Sequence, residues 1–315
     1  MKLGVSLGHS LSPSEMVSDS IFCEKSGFDA LFVSESTGLD SLTVLGAIAT
    51  KTNGIALGSG VVNVYSRSAT QLAMAAATLD ELSGSRFMLG IGASSKSVVS
   101  GWHGLEFSNQ MRRVSEYIDS LRERIKESRS KLGAKASTDT RILLAAVGEK
   151  MISLARSKAD GMIFFLRPLD LIRENQETRN HPFLRMASIV TCVSEQPKIA
   201  EGRVRKTVAF YIAFGEAYRR LLLKEELGLL SMEVADSIRR EWLKGKAEQA
   251  ASLVPLELLN QVSIFGSPAE CRRMIEQYRS IHNLSYLLLQ YNPGASNLLE
   301  SLSLFGKLSD KATMK

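Results

Sequence analysis

Short runs of apolar and β-branched residues recur along this chain, and helical patterns that close on glycine lie between them. The runs are LGVSL, ALFVSE, GIALGSGVVN, RFMLGIG, RILLAAV, GMIFFL, MASIVTCV and YLLLQY. The first helical patterns are SEMVSDSIFCEKSG, with Gly27 as its stop, LTVLGAIATKTNG, ending at Gly54, and ATQLAMAAATLDELSG, rich in strong helix formers and ending at Gly84. Strand, helix, glycine, strand is the rhythm of βα units in a parallel sheet. The runs are continuously apolar rather than alternating, as strands are when both faces of their sheet are covered. Eight units favour closure into an α/β fold of the (β/α)8 barrel type, with an open doubly wound sheet as the competing arrangement.

The spacing is uneven near the end. Between MASIVTCV and YLLLQY lie about ninety residues, Pro197 to Asn283, mostly helical in pattern, with a minor run VSIF before the helix SPAECRRMIEQYRS. This reads as a helical insertion plus the barrel's own helix. No Pro/Gly/Ser-rich linker sets it apart, so residues 1–315 are expected to form a single barrel domain.

Composition is that of a soluble globular chain, with 44% apolar and 23% charged residues. No apolar run approaches the length of a membrane span, and MKLGVSLGHS reads as a first strand rather than a signal peptide. Cys23, Cys192 and Cys271 lie far apart, with no C-x-x-C pair, which points to a reducing cytoplasm. The net charge of +6 is concentrated in Arg112 to Lys135 and Ser237 to Lys246, where acidic residues are interleaved and apolar residues recur at helical spacing. Solvated helix faces account for that pattern. No aromatic-rich basic stripe supports a nucleic-acid partner, and attraction of an anionic ligand suits the charge better.

In a barrel, chemistry sits at the C-terminal ends of the strands, which directs attention to Ser6–His9, Ser34–Thr37, Gly60–Arg67, Gly92–Lys96, Ala146–Lys150 and Leu166–Pro168. One of these stretches, GIGASSKS, imitates a nucleotide loop. Ser95, however, stands where both the dinucleotide fingerprint and the P-loop require glycine, so neither motif is complete. No H-E-x-x-H or paired His/Asp spacing suggests a metal, and no G-x-S-x-G suggests a hydrolase.

At GSGVVNVYSRSATQLAMAAATLDELSGSRFMLGIGAS the chain resembles the bacterial luciferase-like family, in the branch that includes archaeal methylenetetrahydromethanopterin reductase. Weaker echoes run through ILLAAVGEKMISLARSKADGMIF, TCVSEQPKIAEGRVRKTVAFYIAF and VSIFGSPAECRRMIEQY. The resemblance implies a (β/α)8 barrel of the luciferase-like type that binds coenzyme F420 or a flavin such as FMN, and a reaction that moves a hydride to or from the coenzyme. It implies a non-proline cis peptide in a third-strand bulge behind the coenzyme ring, which here would be Gly60–Val61, with Asn63 bonding the ring's pyrimidine edge. It places Ala93 and Ser94 against ring or ribityl chain. It sets the coenzyme phosphate at Ala146, Val147 and Gly148, where a helix begins, with Lys150 adding charge. F420 and FMN share the ring edge and the ribityl phosphate, so both satisfy these residues.

The acid–base positions depart from the family. Ser6 stands where the reductases have Glu, Ser36 where several relatives have His, and Ser95 where relatives carry Asp or Glu. Glu35 alone keeps a carboxylate and is the candidate catalytic group, although a carboxylate at a strand end also serves as a structural acceptor; His9 and His103 lie near the rim. The expectation is an F420-dependent oxidoreductase acting on a small organic substrate, pterin-like or otherwise. The alternatives are a non-catalytic coenzyme-binding paralogue and an FMN-dependent monooxygenase. Neither nucleic acid nor membrane is expected as a partner. A homodimer or larger assembly is expected, through the Ala- and Met-rich helix face of Leu72 to Leu82 by which relatives pair.

Overall fold

The computed structural model describes residues 1–8, 11–133, 140–174, 183–292 and 303–309. Its strands are β1 (Lys2–Leu7), β2 (Ala30–Val33), β3 (Ala56–Ser59), β4 (Val62–Asn63), β5 (Phe87–Gly92), β6 (Arg141–Ala145), β7 (Gly161–Phe165), β8 (Leu184–Val193), β9 (Ser263–Gly266) and β10 (Tyr286–Asn292). Eight of them close a parallel barrel in the order β10, β1, β2, β3, β5, β6, β7, β8, with β8 pairing back to β10. These eight are the eight apolar runs of the sequence. The two short strands are additions to the wall: β4 continues β3 beyond a bulge and pairs with β5, and β9, the run VSIF, pairs with the upper part of β8 above the end of β7.

Alternation along each strand sorts side chains into two cores. Leu3, Val5 and Leu7 of β1, Leu31 and Val33 of β2, and Leu287 and Leu289 of β10 face outward into the layer shared with the helices. Ala30, Phe32, Met88, Leu143, Ile163, Met186, Tyr286 and Leu288 fill the barrel interior. A barrel plugged in this way is a packed core, and only its upper inward layer is left for a ligand.

The helices begin and end largely as their sequences direct. Helix Pro13–Ser26 starts with a Ser12/Glu15 capping box and stops at Gly27, whose φ of 92° is left-handed. Helix Ala69–Leu82 is capped by Ser68 and followed by Gly84, also left-handed. The second helix differs from expectation: it covers Ser41–Ala49 and ends at Thr50, well before Gly54. The segment that follows is tied down from elsewhere. Glu24 Oε1 accepts the backbone N–H groups of Asn53, Gly54 and Ile55, and the Arg86 guanidinium donates to the carbonyls of Ala49, Thr52 and Ile55. Those bonds replace the last helical turn.

After β8 the chain forms helices Pro197–Phe214, Glu216–Leu222, Met232–Leu243, Ala247–Ser252 and Leu256–Val262, and helix Pro268–Arg279 follows β9. They enclose an apolar cluster of their own, built from Val204, Val208, Ile212, Ile238 and Leu258 among others, which also takes in Leu166, Val190 and Cys192. Val190 belongs to the inward series of β8, so helix Pro197–Phe214 lies on the inner side of that strand's upper half and overhangs one side of the barrel mouth. The three cysteines are buried free thiols, and burial pushes those of Cys192 and Cys271 up to about 12. Among the described residues no helix is long and apolar enough to cross a membrane.

Candidate active site

The upper inward layer of the barrel follows from the same alternation: Ser6, Ser34, Gly92, Ala145, Phe165, Ser188 and Gln290 continue the interior positions of their strands. Apart from Phe165 and Gln290 these are small side chains, and none carries a charge. The hydroxyls of Ser6 and Ser34 lie 3.2 Å apart. The layer forms a shallow, neutral floor.

One side of the floor is shaped by the bulge between β3 and β4. The Gly60–Val61 peptide bond there is cis. The bulge explains the glycines of LGIG on the neighbouring strand. A Cβ on Gly90 would stand 2.0 Å from the Ser59 carbonyl oxygen, and one on Gly92 would stand 2.9 Å from the Val61 side chain. Backbone and side chain of the bulge thus occupy the space that side chains of β5 would need. Ser59 locks the two strands together, its hydroxyl donating to the Gly90 carbonyl at 2.8 Å and accepting the Gly90 N–H at 2.9 Å. The glycines that made GIGASSKS look like a phosphate loop are therefore accounted for by packing against the bulge. Ala93 is half-buried and Ser94 exposed, and Ser95 accepts the Val98 N–H at the start of the π-helix Ser97–Trp102.

Asn63 ends the bulge, 7% exposed, on the inward side opposite Gly92. Its Oδ1 accepts the Tyr65 N–H at 2.9 Å, which fixes the amide, while Nδ2 is buried with no hydrogen-bond partner among the described residues. A buried amide donor left unpaired costs about 1–3 kcal/mol, a cost that a ligand acceptor at this point would offset.

The next stretch round the rim is the turn from β6 into helix Glu149–Lys158. Gly148 is the N-cap, with φ −96° and ψ 162°, and supplies no capping side chain. Nothing lies within 4 Å of where its Cβ would be. The first turn thus has no side-chain cap, and its N–H groups lie at the positive end of a helix whose first residues, Gly148 to Lys150, are exposed. Ala146 contributes less than expected. Its side chain is buried in the outer core, and its N–H donates to the Ile163 carbonyl at 3.0 Å, so that N–H is already engaged and the available donors start after Ala146. Lys150 is exposed in the first turn, and Val147 is half-buried. Sequence reasoning included Arg167 in the rim stretch Leu166–Pro168 but gave it no role in this turn. Arg167, 3% exposed, donates to the Val147 carbonyl and to Glu149, both at 3.1 Å, and its guanidinium lies 5.2 Å from the centre of the Phe164 ring. Its hold on Glu149 draws that carboxylate toward the Arg167 guanidinium.

Glu35 stands apart from this constellation. Its side chain accepts from both guanidinium nitrogens of Arg67, at 2.5 and 3.1 Å, and from the N–H and hydroxyl of Ser41 at 3.0 and 2.9 Å. Arg67 also pairs with Asp40. A carboxylate with both oxygens occupied by donors fastens the rim, joining the end of β2 to the start of helix Ser41–Ala49 and the loop after β4. It is poorly placed to give or take a proton. Ser36 is half-buried, and His103 is exposed, its backbone N–H donating to the Val98 carbonyl. His9 lies outside the described residues.

The opposite wall was not legible in the sequence. Helix Pro197–Phe214 brings Tyr211 to the mouth, where its ring stands edge-on to Phe165 with centroids 4.8 Å apart and edge-on to Tyr218 at 5.4 Å. The Gln290 amide donates to the Tyr211 hydroxyl oxygen, while Gln290 Oε1 is buried without a partner among the described residues. A polar residue at an inward position of YLLLQY was the one available signal.

Comparison with known proteins places this geometry. Residues 9–282 match the family of luciferase-like monooxygenases. A Mycobacterium tuberculosis protein named "putative coenzyme F420-dependent oxidoreductase" is 28% identical over 87% of this chain and 91% of its own length. The 5,10-methylenetetrahydromethanopterin reductase of Archaeoglobus fulgidus is 26% identical over 88% of this chain and 90% of its own. Among solved structures, the coenzyme F420-dependent tetrahydromethanopterin reductase of Methanopyrus kandleri superposes with a TM-score of 0.79 at 19% identity, covering 99% of both chains. That likeness shows the (β/α)8 fold.

Proposed function

This chain belongs to the luciferase-like monooxygenase family, and on that premise we propose that it is an oxidoreductase that binds coenzyme F420 at the barrel mouth and moves a hydride between the deazaflavin and a small organic substrate. The observation that carries the reading is the pair of unmet donors on one rim: Asn63 Nδ2 beside the bulge, and the uncapped helix start at Gly148. A planar ring with a carbonyl-bearing edge and a phosphate on a flexible chain satisfies both. Relatives whose names specify F420 support the choice of coenzyme.

In this reading Asn63 donates to the ring edge, Val61 and Ala93 bound the ring, and Ser94 meets the ribityl chain. The backbone from Val147 to Lys150 takes the phosphate. When bound, the coenzyme supplies or accepts the hydride, and the protein's task is to bind, orient and exclude water. Ser6 and Ser34 leave the floor neutral. An FMN-dependent monooxygenase would use the same residues up to the phosphate. A non-catalytic paralogue is the reading favoured by the serines at positions 6, 36 and 95.

Titration of the purified protein with F420 and, separately, with FMN tests the proposal. F420 is expected to bind saturably in the micromolar range with a change in its fluorescence. Absence of saturable binding by either coenzyme would overturn the assignment.

A further inference from the structure

The barrel mouth has two sides, and only one is accounted for by a coenzyme. In the stave order β10, β1, β2, β3, β5, β6, β7, β8, the bulge at the top of β3 lies four staves from β8, diametrically across the barrel. There the overhanging helix presents Tyr211. Gln290 is the inward residue after Tyr286 and Leu288 on β10, so a tyrosine hydroxyl that meets its amide is at the inner side of the wall, above the Ser6–Ser34 floor. A ring held against the bulge would have Val61 beside it, and Tyr211 stands across the mouth from that position.

The wall is built for a neutral oxygen. Phe165 and Tyr218 hold the Tyr211 ring by edge-to-face contacts, which fixes where the hydroxyl points. With its oxygen accepting from the Gln290 amide, the hydroxyl has its own proton to donate. Gln290 Oε1 has acceptor capacity unused. One donor and one acceptor side by side match a carbonyl or hydroxyl group. Among the described residues the inward layer contains no carboxylate, imidazole or ammonium, so a charged substrate group would lose its water there without a counter-ion. Burial pushes the Tyr211 hydroxyl up, against the opposing pull of the Gln290 hydrogen bond, so the proton is retained through the neutral range.

We propose that Tyr211 is the proton donor of this site, in place of the acids that relatives carry, and that Tyr211 and Gln290 together hold an uncharged carbonyl compound or its alcohol. The inference rests on the coenzyme reading above. In the reducing direction the carbonyl carbon gains a C–H bond by taking hydride from the reduced deazaflavin. The carbonyl π pair moves onto oxygen, which forms an O–H bond with the Tyr211 proton. The Tyr211 O–H bond breaks, and its electron pair stays on the phenolate oxygen, which the Gln290 N–H stabilises until water returns a proton. The substrate is reduced by two electrons and the deazaflavin oxidised by two.

The test uses the full chain and cyclohexanone as the probe. F420 is titrated first, and failure to bind overturns the coenzyme reading itself. Cyclohexanone is then titrated into the protein–F420 complex and followed by coenzyme fluorescence, which needs no turnover. The parent is expected to saturate. Tyr211→Phe is expected to bind F420 as the parent does and the ketone several-fold more weakly. With reduced F420, Tyr211→Phe is expected to lower kcat for cyclohexanone by about 100-fold and to raise KM only by the same several-fold factor as the ketone Kd. The dependence of kcat on heavy water should disappear with the hydroxyl. If Tyr211→Phe does not fold, Gln290→Leu is read the same way, with an expected kcat loss of about tenfold. F420 binding without any response to cyclohexanone, or parental kcat in Tyr211→Phe, overturns the proposal and leaves the coenzyme reading standing.

Discussion

Replacing Gly148 with Asp separates the proposed phosphate contact from the stability of the fold. The backbone at Gly148 is extended, φ −96° and ψ 162°, a conformation open to any residue, and its Cβ would meet nothing within 4 Å. Aspartate is moreover a favoured N-cap, worth a few tenths of a kcal/mol over glycine. The melting temperature of Gly148→Asp should therefore equal or slightly exceed the parent's. Coenzyme binding should move the other way. A carboxylate about 5 Å from a phosphate, at an effective dielectric of roughly 20–40 for a rim site, repels it by about 2–3 kcal/mol, or about 30- to 150-fold in Kd. The same carboxylate would compete for the N–H groups that the phosphate needs. Lys150→Ala should cost less, because the backbone donors and the helix dipole remain. The assay is an F420 and an FMN titration at two salt concentrations, with circular dichroism as the folding control, and higher salt should shrink the difference between variant and parent. A Gly148→Asp variant that binds the coenzyme with parental affinity would show that the phosphate lies elsewhere and that the uncapped helix start has no ligand.

Three further outcomes follow from individual side chains. Asp19 is buried, its Oδ2 lacks a partner among the described residues, and burial with the nearby Glu15 raises its pKa to about 6. A raised acid keeps its proton in the folded state while the unfolded chain has released it, so its contribution is present below pH 4 and is lost as pH rises through 6. Asp19→Asn should therefore stabilise the protein at pH 7.5 by about 1–2 kcal/mol, a figure discounted for partial solvent screening, and the gain should vanish near pH 4 in denaturant melts. Glu35→Gln should cost about 1–3 kcal/mol of stability by removing one of the two carboxylates that Arg67 pairs with, Asp40 remaining, while leaving F420 affinity of the folded protein near parental; a large loss of affinity without loss of stability would return Glu35 to the site. The homodimer proposed through helix Ala69–Leu82 has Met74 and Leu82, 59% and 50% exposed, as its free apolar surface. Sedimentation should show a dimer at micromolar concentration that Met74→Glu weakens, and a monomeric parent refutes it.

The barrel was legible because burial on both faces writes each strand as an unbroken apolar run, and β1 to β8 and β10 inherit those runs directly. What escaped depended on residues far apart in sequence. The early end of helix Ser41–Ala49 is set by Glu24 and Arg86, which no local pattern ties to Gly54. Gly90 and Gly92 stand out in the sequence only as the start of an incomplete nucleotide motif, whereas their reason is the Ser59 carbonyl and the Val61 side chain of a neighbouring strand. Arg167 and Gln290 each sit at a strand end and were visible as polar residues there. Their partners, the Val147 carbonyl and the Tyr211 hydroxyl, become neighbours only once the barrel closes and the late helices fold over it. A rim contact formed by two separate βα units leaves no periodicity for a sequence to show.

The placement of charge around the mouth bears on the chemistry the site can support. The carboxylates near the rim are occupied: Glu35 and Asp40 by Arg67, and Glu149 by Arg167. On helix Ala69–Leu82, Asp80 is paired with the buried Arg129. Each pairing fastens one βα unit to another and takes an acid out of play. Among the described residues the floor has neither acid nor base, so it offers nothing to balance a charge that would develop in the proposed hydride transfer. An oxyanion formed there unprotonated would be stranded in a poorly solvated site, at a cost of several kcal/mol. A group that gives up its proton as the charge appears avoids that cost, because the negative charge moves onto the donor rather than persisting on the substrate. Serine hydroxyls are too weakly acidic to hold that charge, and the Ser6–Ser34 pair has no base or cation beside it among the described residues. A phenol spreads the charge over its ring, and at Tyr211 an amide N–H is already in place at the oxygen that receives it. In the proposed reaction the neutrality of the floor and the position of Tyr211 are thus two parts of one electrostatic arrangement, in which the proton comes from the wall because, among the described residues, nothing beneath the substrate can supply it.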